Sequence, residues 1–139
     1  MTTETFVDKT ANILHRYGII LLGFVAAAYF LVDSFTPRQL FDSAQERQAF
    51  FRSVGQQETR VLVLVTEWCP ACKGLEADLT GEGIPFTRID VEKNEAGGHL
   101  FAKAAQRTSS QAVPKVVVDD YIIRPSVSAV HEALKPSAE

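Results

Sequence analysis

Residues 61–72 read Val61-Leu62-Val63-Leu64-Val65-Thr66-Glu67-Trp68-Cys69-Pro70-Ala71-Cys72. Five aliphatic residues in a row, three of them β-branched, predict a strand buried on both faces. The run breaks at Thr66, and from Cys69 to Leu79 the spacing predicts a helix with Leu75 and Leu79 on one face. Gly81 and Gly83 then stop it. A buried strand feeding directly into a helix, with two cysteines in the first helical turn, organises the reading of the rest.

Downstream, Phe86-Thr87-Arg88-Ile89-Asp90-Val91 alternates and predicts a second strand. A helix from Ala96 to Arg107 carries Leu100, Phe101 and Ala104. Lys115-Val116-Val117-Val118 predicts a third strand, and Asp119-Asp120 turns the chain into a fourth, Tyr121-Ile122-Ile123. Pro125 or Ser126 opens a last helix through Val127, Val130 and Leu134. The order β-α-β-α-β-β-α gives an α/β fold with a central mixed four-stranded sheet flanked by helices.

The chain has 139 residues, 46% hydrophobic and 22% charged, which excludes wholesale disorder. A formal charge of −3 argues against nucleic-acid binding through basic patches. Two cysteines can neither staple a disulfide scaffold nor complete a four-ligand zinc site alone. Charge is unevenly placed: residues 17–32 carry none, whereas residues 61–139 carry eleven acids and eight bases. The chain therefore divides into a tail (1–16), an apolar helix (17–33), a connector helix (34–59), the α/β domain (60–135) and a short end (136–139). In the connector, Thr36 is expected to cap and Pro37 to start a packing or spacer helix with Leu40, Phe41, Ala44, Phe51 and Val54 on its apolar face.

The apolar segment Tyr17–Val32 supports three readings. As a helix its sixteen residues reach roughly 24 Å, short of a bilayer core of about 30 Å. Arg16, Tyr17 and Tyr29 suit membrane interfaces, and Phe6, Thr10, Ile13 and Leu14 share a face that extends the helix, so a single-pass signal anchor is the leading reading. Ala26-Ala27-Ala28 also satisfies a signal-cleavage pattern, although the apolar run continues past it. A buried soluble helix is the third reading, and it needs cover on every side. Lys9, Arg16 and the terminal amine, set against Arg38 and Arg47, weakly favour placing the domain outside the cytoplasm.

Trp68-Cys69-Pro70-Ala71-Cys72 between strand and helix, together with Val113-Pro114 before the next strand, resembles the thioredoxin superfamily. The short domain, about residues 60–135, resembles glutaredoxin most. The resemblance implies a thioredoxin-like fold, a cis Pro114 beside the cysteines, and a Val113 backbone that pairs with a substrate strand. It also implies that Trp68, Pro70 and Ala71 contact substrate. The alternatives for Trp68 and Pro114 are plain packing and an ordinary strand-initiating proline.

Disulfide exchange requires a thiolate and a second thiol within reach. Cys69, nearer the helix N-terminus, meets unpaired N–H groups and the positive end of the helix dipole, which favour its thiolate. Cys69 is therefore assigned as nucleophile and Cys72 as resolving thiol, with Lys73 as electrostatic support or simply a solvated lysine. The competing readings are a structural disulfide, an inert pair or half a zinc site. His99 and His131 lack ligand spacing to the pair, so no metal is expected.

Three positions depart from the glutaredoxin pattern. Thr66 replaces a lysine, Ala71 replaces an aromatic residue, and Arg124-Pro125-Ser126 replaces a glycine pair and acid. These departures weigh against glutathione as cosubstrate, and against a glutathione-assisted iron–sulfur cluster bridging two copies. The expected protein is a membrane-anchored thiol–disulfide oxidoreductase with no bound cofactor beyond a redox-active Cys69–Cys72 disulfide, acting on protein dithiols or disulfides. The alternative is a non-enzymatic accessory subunit of a membrane complex that keeps the fold as a binding module.

Overall fold

The computed structural model describes residues 17–29 and 38–136. The chain divides into two compact units, Met1–Thr36 and Pro37–Glu139. In the first, residues 17–29 form a helix, α1, whose described residues are all exposed. Among the described residues no helix is long and apolar enough to cross a membrane. The end of the expected anchor, residues 30–33, and the expected Thr36-Pro37 helix start lie outside the described residues.

The second unit is built on a five-stranded mixed sheet. Its elements are β1 (Arg38–Gln39), α2 (Ala44–Ser53), β2 (Val61–Val65), α3 (Pro70–Gly81), β3 (Phe86–Asp90), α4 (Glu95–Thr108), β4 (Lys115–Val118), β5 (Tyr121–Ile123) and α5 (Val127–Leu134). The strand order is β1-β5-β4-β2-β3, with β2 and β3 parallel and the other pairs antiparallel. This is a thioredoxin-like α/β fold. The fifth strand corrects the four expected: β1 has two residues, too few to show a period, and exists because it pairs with Ile122 and Tyr121 of β5.

Strand alternation separates two apolar layers. On one face Val61, Val63, Val65, Val116 and Val118 pack with Cys72, Leu75 and Leu79 of α3 and Val130 of α5. On the other, Leu62, Leu64, Ile89 and Val117 pack with Leu100 and Ala104 of α4. Leu40, Phe41, Phe50 and Phe51 join this second layer, so the connector completes the core. Burying each such side chain contributes about 1.5–3 kcal/mol.

The connector helix starts later than its sequence suggests. Ser43 is the N-cap, its hydroxyl accepting from the Glu46 N–H, and Leu40 and Phe41 precede the helix. Asp42 accepts from Arg107 at 2.8 Å, and Lys103 reaches Asp42 at 2.9 Å and Glu46 at 2.6 Å, which ties the α2 entrance to α4. These bonds hold the Asp42 and Glu46 carboxyls below their usual range. They lie near solvent, so the buried phenylalanines dominate the energetics.

Candidate redox site

The site forms where β2 ends and α3 begins, beside the loop that enters β4. Cys69 is the N-cap of α3: its backbone is extended and its Sγ accepts from the Cys72 N–H at 3.1 Å. Pro70 occupies the first turn, where a missing N–H costs no helical hydrogen bond. Cys69 and Cys72 form a disulfide with their Cα atoms 5.3 Å apart, within ordinary disulfide geometry. Both cysteines are buried, Cys69 at 4% exposure and Cys72 fully.

The peptide between Val113 and Pro114 is cis, as the resemblance implies. Pro114 is buried, and the Val113 carbonyl oxygen lies 3.9 Å from the Cys69 sulfur. Trp68, Pro70 and Ala71 are exposed around the cysteines. Lys73 is exposed on the first turn of α3 and has no ion-pair partner among the described residues. His99 and His131 are exposed side chains on α4 and α5, facing Glu95 at 3.9 Å and Glu82 at 3.3 Å. Among the described residues no group of three or more His, Cys, Asp or Glu is placed to hold a metal ion.

Thr66 lies buried at the end of β2, and its hydroxyl has no hydrogen-bond partner among the described residues. Arg124 and Pro125 are exposed, while Ser126 caps α5 by accepting from the Ala129 N–H at 3.3 Å. A groove of about 450 Å³ lined by Phe41, Phe50, Leu100 and neighbouring residues contains none of the cysteine-motif residues. Its apolar lining belongs to the layer on the other face of the sheet.

Glu92 is a residue of the site that the sequence reading did not single out. The Trp68 indole N–H donates to both of its carboxylate oxygens, at 3.0 and 3.1 Å. Close by, Lys93 pairs with Glu67, which lowers the Glu67 carboxyl and raises the Lys93 ammonium relative to their ordinary values. The signal was the parallel register: Val65 pairs with Asp90, so the residues just past both strands emerge together. The carboxyl ends of parallel strands are where α/β sheets gather their binding groups.

The arrangement can perform thiol chemistry. A sulfur at a helix N-terminus receives a backbone N–H and the helix dipole, both of which stabilise a thiolate, and a second sulfur lies within bonding reach. The glutaredoxin family model matches residues 61–123, so this part of the chain is a glutaredoxin-like domain. No curated protein matches the chain. Similar solved structures include glutaredoxin C1 from Populus tremula x tremuloides, at 21% identity and TM-score 0.45 over 61% of this chain and 80% of that one. A wheat glutaredoxin is 20% identical, with TM-score 0.46 over 61% and 82% of the two chains. A glutaredoxin from Archaeoglobus fulgidus is 26% identical, with TM-score 0.43 over 55% and 87%.

Proposed function

We propose that this chain is a thiol–disulfide oxidoreductase that exchanges disulfides with protein partners and is tethered to a membrane by its apolar N-terminal segment. The observation carrying the redox reading is Cys69 at the N-cap of α3, bonded by the Cys72 N–H and joined to Cys72. In the reducing direction the Cys69 thiolate attacks one sulfur of a partner disulfide. A mixed disulfide forms and the other partner sulfur leaves as a thiolate. The Cys72 thiolate then attacks the Cys69 sulfur, closing the Cys69–Cys72 disulfide and releasing the second partner sulfur. Two electrons pass to the partner, whose two sulfurs take up two protons as the Cys69 and Cys72 thiols lose theirs. The reverse sequence oxidises a partner dithiol.

Protein rather than glutathione disulfides are the proposed substrates, because Thr66, Ala71 and Arg124-Pro125-Ser126 lack the lysine, aromatic and glycine-pair contacts of the glutaredoxin pattern. Each absent polar contact is worth about 1–3 kcal/mol of recognition. The Val113 backbone beside Cys69 is the proposed pairing edge for an extended partner segment. The test is a competition for the reduced full-length chain between a disulfide-bonded protein and a glutathionylated peptide. The protein should turn over faster. Faster turnover of the glutathionylated peptide, saturable in glutathione, would restore a glutathione-dependent activity.

Membrane tethering is supported by the uncharged run 17–32, whose described part, 17–29, is helical with exposed apolar side chains. The proposed orientation puts the redox domain outside the cytoplasm. The full-length chain should stay with membranes through carbonate extraction, and its release as an intact soluble protein would contradict the tether. The same exposed apolar helix also favours a second reading, an accessory subunit assembled into a membrane complex without catalysis. In that case a variant with both cysteines replaced by serine would keep its partner and its biological role.

A further inference from the structure

Trp68 is the only tryptophan of the chain, immediately precedes Cys69, and is 66% exposed. Its indole edge is fixed by the two bonds to Glu92, so the ring is held in place while its surface stays open to solvent. Glu92 is itself anchored, because its backbone N–H donates to Asp90 Oδ1 at 3.0 Å.

Most of the charges nearby are already engaged; among the described residues Glu92 and Lys73 are not ion-paired. Glu67 is paired with Lys93, and Arg88 reaches Glu76 and, at 4.0 Å, Asp90. The Glu92 carboxylate accepts from the neutral indole and has no cation within 4 Å among the described residues. A neutral N–H leaves the carboxylate charge uncompensated. The entrance to the cysteine pair thus presents an aromatic surface with a free negative charge at its edge. A cation over an indole gains from the ring quadrupole, and a carboxylate at the ring edge adds a direct ionic attraction.

We propose that Trp68 and Glu92 together form a recognition site for a lysine or arginine side chain next to the reactive cysteine of the partner polypeptide. The inference rests on the oxidoreductase reading and specifies its substrate class: disulfides flanked by a basic residue. The Glu67–Lys93 pair, next in sequence to Trp68 and Glu92, leaves Glu92 unneutralised, and Lys73 makes no ion pair with it. An exposed cation–aromatic contact with an exposed ion pair corresponds to a preference of about 3- to 30-fold. The preference acts on encounter and binding, so it enters through KM and weakens with salt.

The test uses the reduced full-length chain and two disulfide-bonded peptides that differ only in carrying arginine or glutamate beside the cysteine. Single-turnover rates are read by release of peptide thiol. The arginine peptide should react about 3- to 30-fold faster at low ionic strength, with the margin shrinking as salt rises. Glu92→Gln, which keeps an acceptor for the indole but removes the charge, should lose most of the margin, and Glu92→Lys should reverse it. Equal rates for the two peptides, or an undiminished margin in Glu92→Gln, would overturn the recognition site and leave the oxidoreductase reading standing. Failure of both peptides to react, with the chain folded and fully reduced, would overturn the oxidoreductase reading and the recognition site with it.

Discussion

The carbonyl oxygen of Val113 lies 3.9 Å from the sulfur of Cys69, although 44 residues separate them in the chain. The contact joins the N-terminus of α3, which follows β2, to the loop entering β4, the antiparallel neighbour of β2. A polypeptide that paired with the Val113 backbone would bring its sulfur to Cys69 rather than to the deeper Cys72. The mechanism proposed above follows from this placement.

The two thiols should differ in reactivity after reduction. Cys69 holds the N-cap position, and Cys72 is fully buried one turn further in. Brief alkylation at neutral pH followed by peptide mapping should therefore label Cys69 well ahead of Cys72. Because the exposures, 4% and 0%, differ little, the helix-end electrostatics carry most of this expectation. Preferential labelling of Cys72 would reverse the assigned roles.

The packing of α4 on β3 predicts a sharp contrast between two glycines. A Cβ at Gly97 would overlap Cγ2 of Ile89, whereas a Cβ at Gly74 in α3 meets nothing within 4 Å. Gly97→Ala should cost about 1–3 kcal/mol through overpacking. Gly74→Ala should be neutral or stabilise by up to about 1 kcal/mol through helix propensity. Urea unfolding of the two variants measures both, and a Gly97→Ala protein as stable as the parent would refute the close helix–sheet approach.

Phe41 tests whether the connector belongs to the core. It is fully buried among Leu40, Phe50, Phe51 and Leu100. Phe41→Ala should cost about 3–5 kcal/mol, far more than the loss of any single ion pair at the α2 entrance. A change below about 1 kcal/mol in urea unfolding would mean that the connector is only a spacer.

Lys115 gives a pH-dependent prediction. It is buried on β4, its ammonium donates to the Thr108 hydroxyl at 3.1 Å and sits 5.6 Å above the Phe101 ring, and burial pushes it below the usual lysine value. An ammonium with a lowered folded-state value destabilises the fold below that value. The penalty fades as pH rises through it toward the ordinary 10.5, because the unfolded chain holds the proton longer. Lys115→Met should therefore be more stable than the parent by about 1 kcal/mol at pH 7, and the gap should narrow at pH 10. Denaturant midpoints at both pH values check the sign, and a gap that widens at pH 10 would contradict it.

What the sequence revealed follows from where its information is local. Val61–Val65 declares a doubly buried strand because all five side chains are apolar, and the two cysteines declare the site because the helix start follows immediately. Tyr121-Ile122-Ile123 was readable beside its Asp119-Asp120 turn. In contrast, Arg38–Gln39 has no strand pattern of its own and becomes β1 only through pairing with β5. Ser43 caps α2 because Leu40 and Phe41 are drawn into the layer beneath α4 before the helix begins. The Trp68–Glu92 contact required the β2–β3 register, a tertiary relation between segments 24 residues apart. Thr66 stands where the glutaredoxin pattern has a lysine, but that its buried hydroxyl finds no partner among the described residues emerges only once the sheet is assembled.

The most direct measurement is substrate trapping with Cys72→Ser in the full-length chain. Without the resolving thiol, Cys69 should accumulate as a mixed disulfide with disulfide-bearing proteins, released by reductant and mapped to Cys69 by mass spectrometry. A Cys69→Ser variant should trap nothing through Cys72. Absence of any Cys69-linked protein in the Cys72→Ser chain, with the chain folded and its thiol free at the start, would contradict the assignment of this site as a thiol–disulfide exchange centre.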